Sequence, residues 1–314
     1  MKNYKKTGID SAGTIAVLAA VLAWATGPIF VRYLTGYLDA PSQNLWRYAC
    51  ASAFILPFLL RKIKTGKLNN RIWLLAIIPA IANIIMQSLF AAVFYYLQPG
   101  FGSLLNRSSL IWIGLFSIIF FAQERPLAKS KFFWIGITVS LLGICGITFA
   151  KADVAAAASL TGIILALATS FAWAVYIISV RISFQKTNPV AAFAVISLYT
   201  TIGLVPIAFI SGNPYQITQL TIWPLACVII SGIICICMAH TFYYTAIRRI
   251  GTIIPELTIL LQPFLALAFS MVIFKEKLNT YQWISGLVLL AGSVLAVLAQ
   301  KHLLITERNI NVQR

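Results

Sequence analysis

The chain has 314 residues, of which 60% are hydrophobic and only 10% are charged, and its mean hydropathy is +0.89. Soluble globular proteins carry about 25% charged residues and about 45–50% apolar ones. A soluble chain with so few charges would expose apolar patches that drive association. The composition therefore excludes a soluble enzyme, a disordered chain and a secreted disulfide scaffold, and it indicates an integral membrane protein.

Apolar runs that approach the roughly 20 residues needed to cross a bilayer follow one another along the chain. In chain order they cover residues 12–33, 43–60, 72–96, 101–121, 131–150, 160–181, 190–210, 223–246, 252–274 and 281–300. The first run follows three lysines as a signal sequence does, but it is too long and lacks a small-x-small cleavage site, so we expect it to be retained. The pattern predicts an all-α polytopic membrane protein with ten transmembrane helices.

The basic residues predict the orientation. The net charge is +17, from 24 Lys and Arg against 7 Asp and Glu. With the N-terminus inside, eighteen of these basic residues fall in the inner connections and tails, four in the outer ones and two within spans. The positive-inside rule accounts for such a bias, and it places both termini in the cytoplasm. It also explains the charge without a nucleic-acid partner, which a basic soluble protein would suggest.

The cysteines and histidines do not predict a cofactor site. All five cysteines lie in apolar runs, where buried thiols behave as small hydrophobes. Cys235 and Cys237 are two residues apart, which places them on nearly opposite sides of a helix and makes a poor metal pair. With only two histidines in the chain, a His-ligated metal is disfavoured. No cofactor is expected.

The two halves of the sequence resemble each other at an offset of 149 residues. The matching pairs are Gly13 and Gly162, Trp24 and Trp173, Arg32 and Arg181, Trp134 and Trp283, and Gly143 and Gly292. Five helices in each half is an odd number, so the second half enters the membrane in the opposite sense. The prediction is a five-plus-five inverted repeat (residues 12–150 and 160–300, with cytoplasmic tails 1–11 and 301–314), the architecture of many alternating-access transporters.

Several segments carry a family resemblance. They are GTIAVLAAVLAWATGPIFVRYL and LWRYACASAFILPFLL in the first two helices, SSLIWIGLFSIIFFAQERPL followed by WIGITVSLLGICGI, and LLQPFLALAFSMVIFKEKLN followed by WISGLVLLAGSVLAV. Nearly the whole chain resembles the drug/metabolite transporter (DMT) superfamily, specifically its EamA-type bacterial permeases. The resemblance implies an inner-membrane exporter of amino acids, drugs or other metabolites. It also implies that the fifth and tenth helices are peripheral to the transport path.

Ionisable groups inside a membrane are costly and are functional candidates by default. The four here are Arg47, Arg107, His240 and Glu256. Both arginines lie roughly 6–9 Å from the outer ends of their helices, and the other two lie about as far from the inner ends, so we expect no direct Arg107–Glu256 ion pair. We hypothesise that Arg107 and Arg47 bind a carboxylate or phosphate of the substrate. Glu256, with His240, would take up and release protons.

Each of these groups also has a structural interpretation, which stays open. Arg47 could snorkel to the outer interface, and an arginine near the start of the second helix is usual in EamA-like sequences. Glu256 follows Pro255 near a helix start, where a negative charge is stabilised. His240 could be a packing residue, and Glu124 and Glu276, in equivalent turns after the fourth and ninth helices, are expected to pair locally with Arg125 or Lys277.

Other candidates for the cavity wall are neutral. Pro28 lies inside the first helix, where a proline frees a backbone carbonyl that can line a cavity. Its neighbour Gly27 corresponds to Tyr176 in the second half. Asn83 and Gln87 share one helix face, where they would bind a polar substrate or bond to a neighbouring helix. The aromatic candidates for the wall are Trp24, Trp173, Tyr176 and Tyr243, whereas Tyr95 and Tyr244, near helix ends, are more typical of the interfacial aromatic belt.

The repeat favours a secondary transporter of the inner membrane that exports a small metabolite, amino acid-like or amphipathic and drug-like, by alternating access. Uniport, exchange and proton antiport remain open. The alternatives are a membrane-embedded enzyme and a channel or structural subunit. No paired-carboxylate motif, histidine cluster or Gly-rich phosphate loop favours the enzyme.

Overall fold

A computed structural model describes residues 10–66, 68–149, 156–184, 187–250, 255 and 258–312, and all regular elements within them are helical. The first half contains α1 (Ser11–Leu34), α2 (Ala40–Lys64), α3 (Arg71–Leu75), α4 (Ile77–Tyr96), α5 (Pro99–Asn106), α6 (Ser109–Phe120), a 3₁₀ segment (Ala122–Lys129) and α7 (Lys131–Phe149). The second half contains α8 (Ala156–Phe184), α9 (Pro189–Ser211), a 3₁₀ segment (Pro214–Gln219), α10 (Ile222–Ser231), a π-helical segment (Gly232–Met238), α11 (Ala239–Ile250), α12 (Gln262–Ile273) and α13 (Thr280–Val312).

The helices are of membrane-spanning length. Within the described residues, six stretches are long and apolar enough to cross a bilayer: Ser11–Leu34, Arg71–Tyr96, Pro99–Phe120, Leu160–Phe184, Pro189–Ser211 and Ile222–Ile250. Three shorter apolar helices cover Lys131–Gly146, Gln262–Ile273 and Thr280–Ala296. The 25-residue α2 is less apolar because its first half carries Gln43, Asn44 and Arg47. The protein is therefore an all-helical, multi-pass membrane protein.

Polar side chains at predicted boundaries start several helices. Asp10 caps α1 by accepting a hydrogen bond from the Gly13 amide, and Asp39 caps α2 in the same way. Asn188 accepts from two amides at the start of α9. Short polar side chains at this position satisfy amides that have no partner inside the helix. This local chemistry explains why α1 and α9 begin within a residue or two of the predicted positions.

Four of the predicted helices are not continuous in the described residues, and one of them, 252–274, turns at Leu260 and Leu261. The predicted helix 72–96 divides at Ala76, and the predicted helix 101–121 divides at Arg107 and Ser108. The predicted helix 223–246 contains the π-helical segment in its middle. Hydropathy alone does not locate such breaks, because the apolar pattern continues through them. Irregular backbone at membrane depth is tolerated where it is buried in protein or lines a cavity.

The two halves pack in corresponding ways. Helix α1 of the first half contacts α11 and α12 of the second half. In the corresponding way, α8 of the second half contacts α4 and α6 of the first half. Two further pairs, α2 with α9 and α7 with α13, each join a helix to its own counterpart. Large apolar side chains such as Ile210, which is 84% exposed, cover the outside of the bundle. Such a surface suits contact with lipid.

Glycines set the contact between α7 and α13. A Cβ at Gly143 would overlap the backbone nitrogen of Leu289, and a Cβ at Gly292 would overlap the backbone nitrogen of Ser140. Small residues allow membrane helices to approach this closely. These glycines make α7 and α13 a tightly packed pair.

Glu276 does not show the expected local pairing with Lys277. Its carboxylate oxygens accept hydrogen bonds from the amides of Gly100 and Phe101, at 2.9 and 2.8 Å, and so cap α5 from the other half of the chain. A carboxylate is stabilised at a helix N-terminus by the unpaired amides and the helix dipole. The sequence shows the acid but not the distant helix that it caps. The side chain of Glu124 lies outside the described residues.

Candidate functional site

A cavity lies where the two halves meet, and about 80 Å³ of it is open to the centres of water molecules. Its apolar lining is Trp24, Gly27, Met86, Phe90, Trp173, Cys235, Ile236 and Ile259. Its polar lining is Arg47, Gln87, Asn106, Arg107, Ser109, Thr169, Ser170, His240 and Gln262. One water needs about 10–15 Å³ measured in this way, so the cavity has room for a small solute. A concave site with a few convergent polar groups is the usual form of a binding site.

Two tryptophans at equivalent positions in the repeat meet at this cavity. The rings of Trp24 and Trp173 lie edge to face, with their centroids 5.8 Å apart. The centroid of the His240 ring lies 5.1 Å from that of Trp24. The His240 ring also stacks on Phe193, with the centroids 4.8 Å apart and only 10° between the ring planes. Aromatic pairs favour these offset and edge-to-face arrangements. Trp24, Trp173 and His240 are thus brought together as a rigid aromatic wall.

Two predicted wall residues lie behind that layer rather than on the cavity. The ring centroids of Tyr243 and Trp24 are 5.0 Å apart, and those of Tyr176 and Trp173 are 5.7 Å apart. The hydroxyl of Tyr176 is 2.7 Å from that of Tyr244, which satisfies both groups in the interior. In the structure these tyrosines support the aromatic wall, and they contact the lining residues.

Arg47 is buried at the cavity and does not reach an interface. It is 2% exposed, and its Nε donates to the Ser231 hydroxyl at 2.9 Å. Its Nη1 is buried with no hydrogen-bond partner among the described residues. A Cβ at Gly232 would overlap the Arg47 carbonyl oxygen, so the glycine allows α2 to approach the π-helical segment. A buried guanidinium is stabilised only when an anion or polar acceptors compensate it.

The neighbouring π-helical segment orients His240. The Nδ1 atom is 2.8 Å from the Ile236 carbonyl oxygen. A carbonyl only accepts, so Nδ1 carries the proton, and in the neutral ring Nε2 is then an acceptor. Nε2 is buried without a hydrogen-bond partner among the described residues. Single-turn π segments inside α-helices are frequent at functional sites, and here the segment lies directly before a lining histidine.

Pro28 acts through its backbone, and its partner was not foreseen from the sequence. A proline has no N–H, so the carbonyl of Trp24, four residues earlier, loses its helical donor. The Gln262 side-chain amide donates to that carbonyl at 3.1 Å from α12. Gly27, rather than Pro28, lines the cavity. The signal for Gln262 was available in principle, because the freed carbonyl in α1 requires an outside donor.

Arg107 lies at a break in the helix, beside the cavity. It follows α5, and the first residue of α6 is Ser109, which also lines the cavity. The chain turns again at Leu260 and Leu261, directly before α12 and at nearly the corresponding point in the second half. Discontinuous helices form the binding sites of many transporters with repeats. Glu256, the predicted coupling residue, lies outside the described residues.

The structure separates Asn83 from Gln87. The Asn83 amide nitrogen donates to the Tyr48 and Thr200 hydroxyls, at 3.0 and 2.9 Å, and joins α4 to α2 and α9. Gln87 lines the cavity. Of the two roles considered for this pair, the interhelical bond is the one seen for Asn83, and Gln87 is placed where a solute could reach it. The two residues are one helical turn apart on α4, and only Gln87 lies at the level of the cavity.

No metal site is present in the described part of the chain. Among the described residues, no three His, Cys, Asp or Glu side chains are grouped closely enough to hold a metal ion. The five thiols are free, and none forms a disulfide. The chemistry available at the cavity is therefore that of guanidinium, amide, hydroxyl, imidazole and indole groups.

Comparisons with known proteins agree with this architecture. The sequence pattern of the EamA-like transporter family matches residues 11–149 and 160–298. An uncharacterized transporter of Archaeoglobus fulgidus is 23% identical, over 94% of this chain and 100% of its own. An uncharacterized transporter of Haemophilus influenzae is 24% identical, over 92% and 95%. The uncharacterized inner membrane transporter YhbE of Escherichia coli K12 is 22% identical, over 92% of each chain.

A solved crystal structure has the same fold. It superposes with a TM-score of 0.62 over 93% of this chain and 99% of its own, at 17% sequence identity. The family and the names of the relatives indicate a transporter rather than an enzyme. The family match covers both halves of the sequence and most of its length. The chain belongs to the EamA-like transporter family, as the sequence resemblance predicted.

Proposed function

We propose that this protein is a secondary transporter of the inner membrane that exports a small metabolite, amino acid-like or amphipathic, by alternating access through the central cavity. The observation that carries the proposal is the contact between Trp24 and its counterpart Trp173 at the cavity, with ring centroids 5.8 Å apart. A site formed jointly by equivalent parts of two repeats is where such transporters bind their substrates.

Contacts between equivalent positions support an inverted repeat of ten spans, with units at residues 12–150 and 160–300. The Ser52 and Thr201 hydroxyls, 149 residues apart, lie 2.8 Å from each other. The Ser140 hydroxyl lies 3.3 Å from the carbonyl oxygen of Leu289, again 149 residues away. When a two-fold axis relates two repeats, only residues near that axis touch their own counterparts. The contact between Trp24 and Trp173 supports a position of the cavity near the same axis.

Two contacts between chain segments support the proposed topology. Asp10 and Arg249 form an ion pair at 3.1 Å, which places the start of α1 beside the basic end of α11. Asp39 accepts a hydrogen bond from the Asn213 amide at 2.7 Å, which joins two connections at the opposite ends of these helices. With the basic side in the cytoplasm, both termini are cytoplasmic.

The repeat also provides two equivalent closures. A Cβ at Gly13 would come within 2.6 Å of the Ile250 side chain, where α1 meets α11. A Cβ at Gly162 would come within 2.6 Å of the Leu97 side chain, where α8 meets α4 at the opposite end of the bundle. We propose that transport opens one of these contacts while the other stays packed. Small interfacial residues permit such helices to meet and separate without a change in fold.

The proposed coupling residues are Glu256 and His240. His240 lines the cavity and has a buried acceptor nitrogen, which suits a role in proton transfer. Glu256 enters from the sequence alone, as an acid within an apolar run. Proton antiport is the form of transport that these two residues would support.

Flux into proteoliposomes tests the proposal. The protein is offered a mixed pool of amino acids, organic acids and cationic dyes, with and without an imposed pH gradient, and uptake is read by mass spectrometry. We expect saturable uptake of a few solutes, enhanced by the gradient, with the enhancement lost in Glu256→Gln. Glu307→Gln is the matched control, because it neutralises a carboxylate in the C-terminal tail.

The outcomes separate transport from coupling. Saturable exchange that does not depend on the pH gradient and is unchanged in Glu256→Gln would support a transporter and refute the role of Glu256 in proton coupling. Leakage that does not saturate, or the absence of flux for every solute in the pool, refutes the transporter. Loss of gradient dependence in Glu307→Gln as well would refute a specific role for Glu256.

A further inference from the structure

We infer that the cavity selects a small carboxylate anion that carries a neutral hydrogen-bond donor beside its carboxyl group, as a 2-hydroxy acid does. The selection rests on the proposed function, because it assigns a substrate chemistry to the same cavity. Three features of the lining carry it: the buried Arg47, the oriented acceptor of His240 and the charge of the wall.

Arg47 requires an anion. Its guanidinium is 98% buried, and it has one hydrogen bond, to a neutral hydroxyl, among the described residues. Its buried Nη1 has no hydrogen-bond partner in that set. Burying an ionised group in this way is unfavourable unless an opposite charge and further hydrogen bonds compensate it. A substrate carboxylate at the cavity supplies both, because guanidinium and carboxylate match in geometry.

His240 requires a donor. Ile236 fixes its Nδ1 proton, and the Phe193 stack fixes the plane of its ring, so Nε2 points in one direction as an acceptor. That atom is also buried and without a partner among the described residues. A ligand that lacks a donor would leave it unsatisfied, which is the condition that gives polar sites their specificity.

The charge of the wall favours a neutral donor over an ammonium group. Arg47 and Arg107 both line the cavity, and the described lining contains no carboxylate. A substrate ammonium would lie near the Arg47 guanidinium, whose one hydrogen bond is to a neutral hydroxyl, whereas a substrate hydroxyl meets no such repulsion. Inorganic phosphate keeps a hydroxyl donor but has no apolar part to contact the Trp24 and Trp173 rings, so it fits less well. The Trp24 and Trp173 rings leave room for a small apolar remainder.

Binding to the purified full-length protein tests the inference. The probes are lactate, propionate, methyl lactate, alanine and inorganic phosphate, measured by calorimetry and by tryptophan fluorescence. Propionate lacks the hydroxyl of lactate, and methyl lactate lacks its charge. Alanine has an ammonium group in place of the hydroxyl, and phosphate is a different type of anion. We expect lactate to bind about tenfold or more tighter than propionate, and more tightly than alanine. Methyl lactate and phosphate should bind weakest.

Two variants assign the preference to residues. His240→Phe keeps a flat ring on Phe193 but removes the acceptor, so the ratio of lactate to propionate affinity should fall to about one. Arg47→Gln should remove the difference between lactate and its methyl ester. The melting temperature of each variant shows whether it is folded. If either variant does not fold, the five probes on the unaltered protein still decide.

Several results would overturn the inference. Equal affinity for lactate and propionate, tighter binding of alanine or phosphate than of lactate, or an unchanged ratio in folded His240→Phe would each do so. A protein that transports other solutes from the pool but binds none of these probes would also overturn it, while leaving the proposed function intact. Absence of all flux from the pool would instead refute the proposed function itself.

Discussion

Two of the contacts that bring equivalent parts of the repeat face to face differ in the residues that the sequence supplies there. At the contact of α7 with α13, glycine and serine allow the backbones to touch. At the contact of α1 with α8, Trp24 and Trp173 hold the helices apart. The first contact is filled by backbone atoms, whereas the second borders a cavity.

The difference shows how one architecture makes both a support and a site. Small residues give close, rigid packing between membrane helices. Aromatic residues keep space open and supply flat walls, while nearby polar groups such as Arg47 and His240 are left with buried, unpaired atoms among the described residues. Changes at the α7–α13 interface should therefore affect stability, and changes at the cavity wall should affect transport.

The largest effect on stability is expected from Gly143→Val. The new side chain would overlap the backbone of Leu289, which cannot move without separating the helices. Overpacking costs about 1–3 kcal/mol, and more when backbone must shift. The melting temperature of the detergent-solubilised protein measures it. Gly286→Val is the matched control on α13, because its nearest neighbours are Leu104 methyl groups at 3.4 and 3.5 Å. Equal melting temperatures for the two variants would contradict this account of the interface.

A smaller loss is expected from Glu276→Gln. An amide has one oxygen to accept with, so either the Gly100 or the Phe101 amide loses its partner in a buried place. Leaving a buried donor unsatisfied costs about 1–3 kcal/mol. Thermal unfolding measures the loss, and Lys277→Gln on the next residue is the control. If both variants have the same melting temperature as the unaltered protein, Glu276 does not stabilise α5 as a cap.

A substitution at the cavity wall should affect transport more than stability. Trp173→Phe keeps an aromatic ring at the contact with Trp24 but reduces the wall, so we expect flux of a transported solute to fall about tenfold, equivalent to roughly 1.4 kcal/mol of lost interaction. The melting temperature should change little. Trp134→Phe is the control, because Trp134 is half-exposed and bonds to the Ala128 carbonyl. Equal flux in both variants would remove Trp173 from the transport path.

The smallest effect is expected from Asp10→Asn at the exposed ion pair with Arg249. The Gly13 amide and the Arg249 guanidinium hold the pKa of Asp10 below its usual value of 3.8. A carboxyl group with a lowered pKa in the folded state stabilises at neutral pH, and the stabilisation is lost as the pH falls through that pKa. The variant should melt slightly lower than the unaltered protein at pH 7, and the difference should vanish in acid. A difference that grows in acid would contradict this sign.

The starts of α1 and α9 could be predicted from the apolar pattern of the sequence, and the family could be predicted from its resemblance to known sequences. Asp10 and Asn188 begin helices where expected, since an N-cap needs only a short acceptor beside three or four free amides. The family match covers the two repeats in which the resemblance was noted. The candidate site was predictable in part: Trp24, Arg47, Gln87, Arg107, Trp173 and His240 all line the cavity.

Other members of the site could not be placed from sequence, because their roles depend on distant partners. Gln262 bonds to a carbonyl that Pro28 frees in another helix, and Glu276 caps a helix about 175 residues away. Asn83 and Tyr176, although polar and within spans, are satisfied by other helices. Hydropathy shows that such groups are costly in a membrane but not which neighbour compensates each one.

The sequence by itself determined that the chain spans a membrane repeatedly, that its halves are related, and which family it belongs to. The first two conclusions need only composition, periodicity and spacing, and the third needs a resemblance to known sequences. Only the tertiary structure decided that Trp24 meets Trp173, and that Arg47 and His240 keep buried unpaired atoms at one cavity. The reason is physical: a buried polar group is defined by the partners that surround it, and those partners come from helices far apart in the chain.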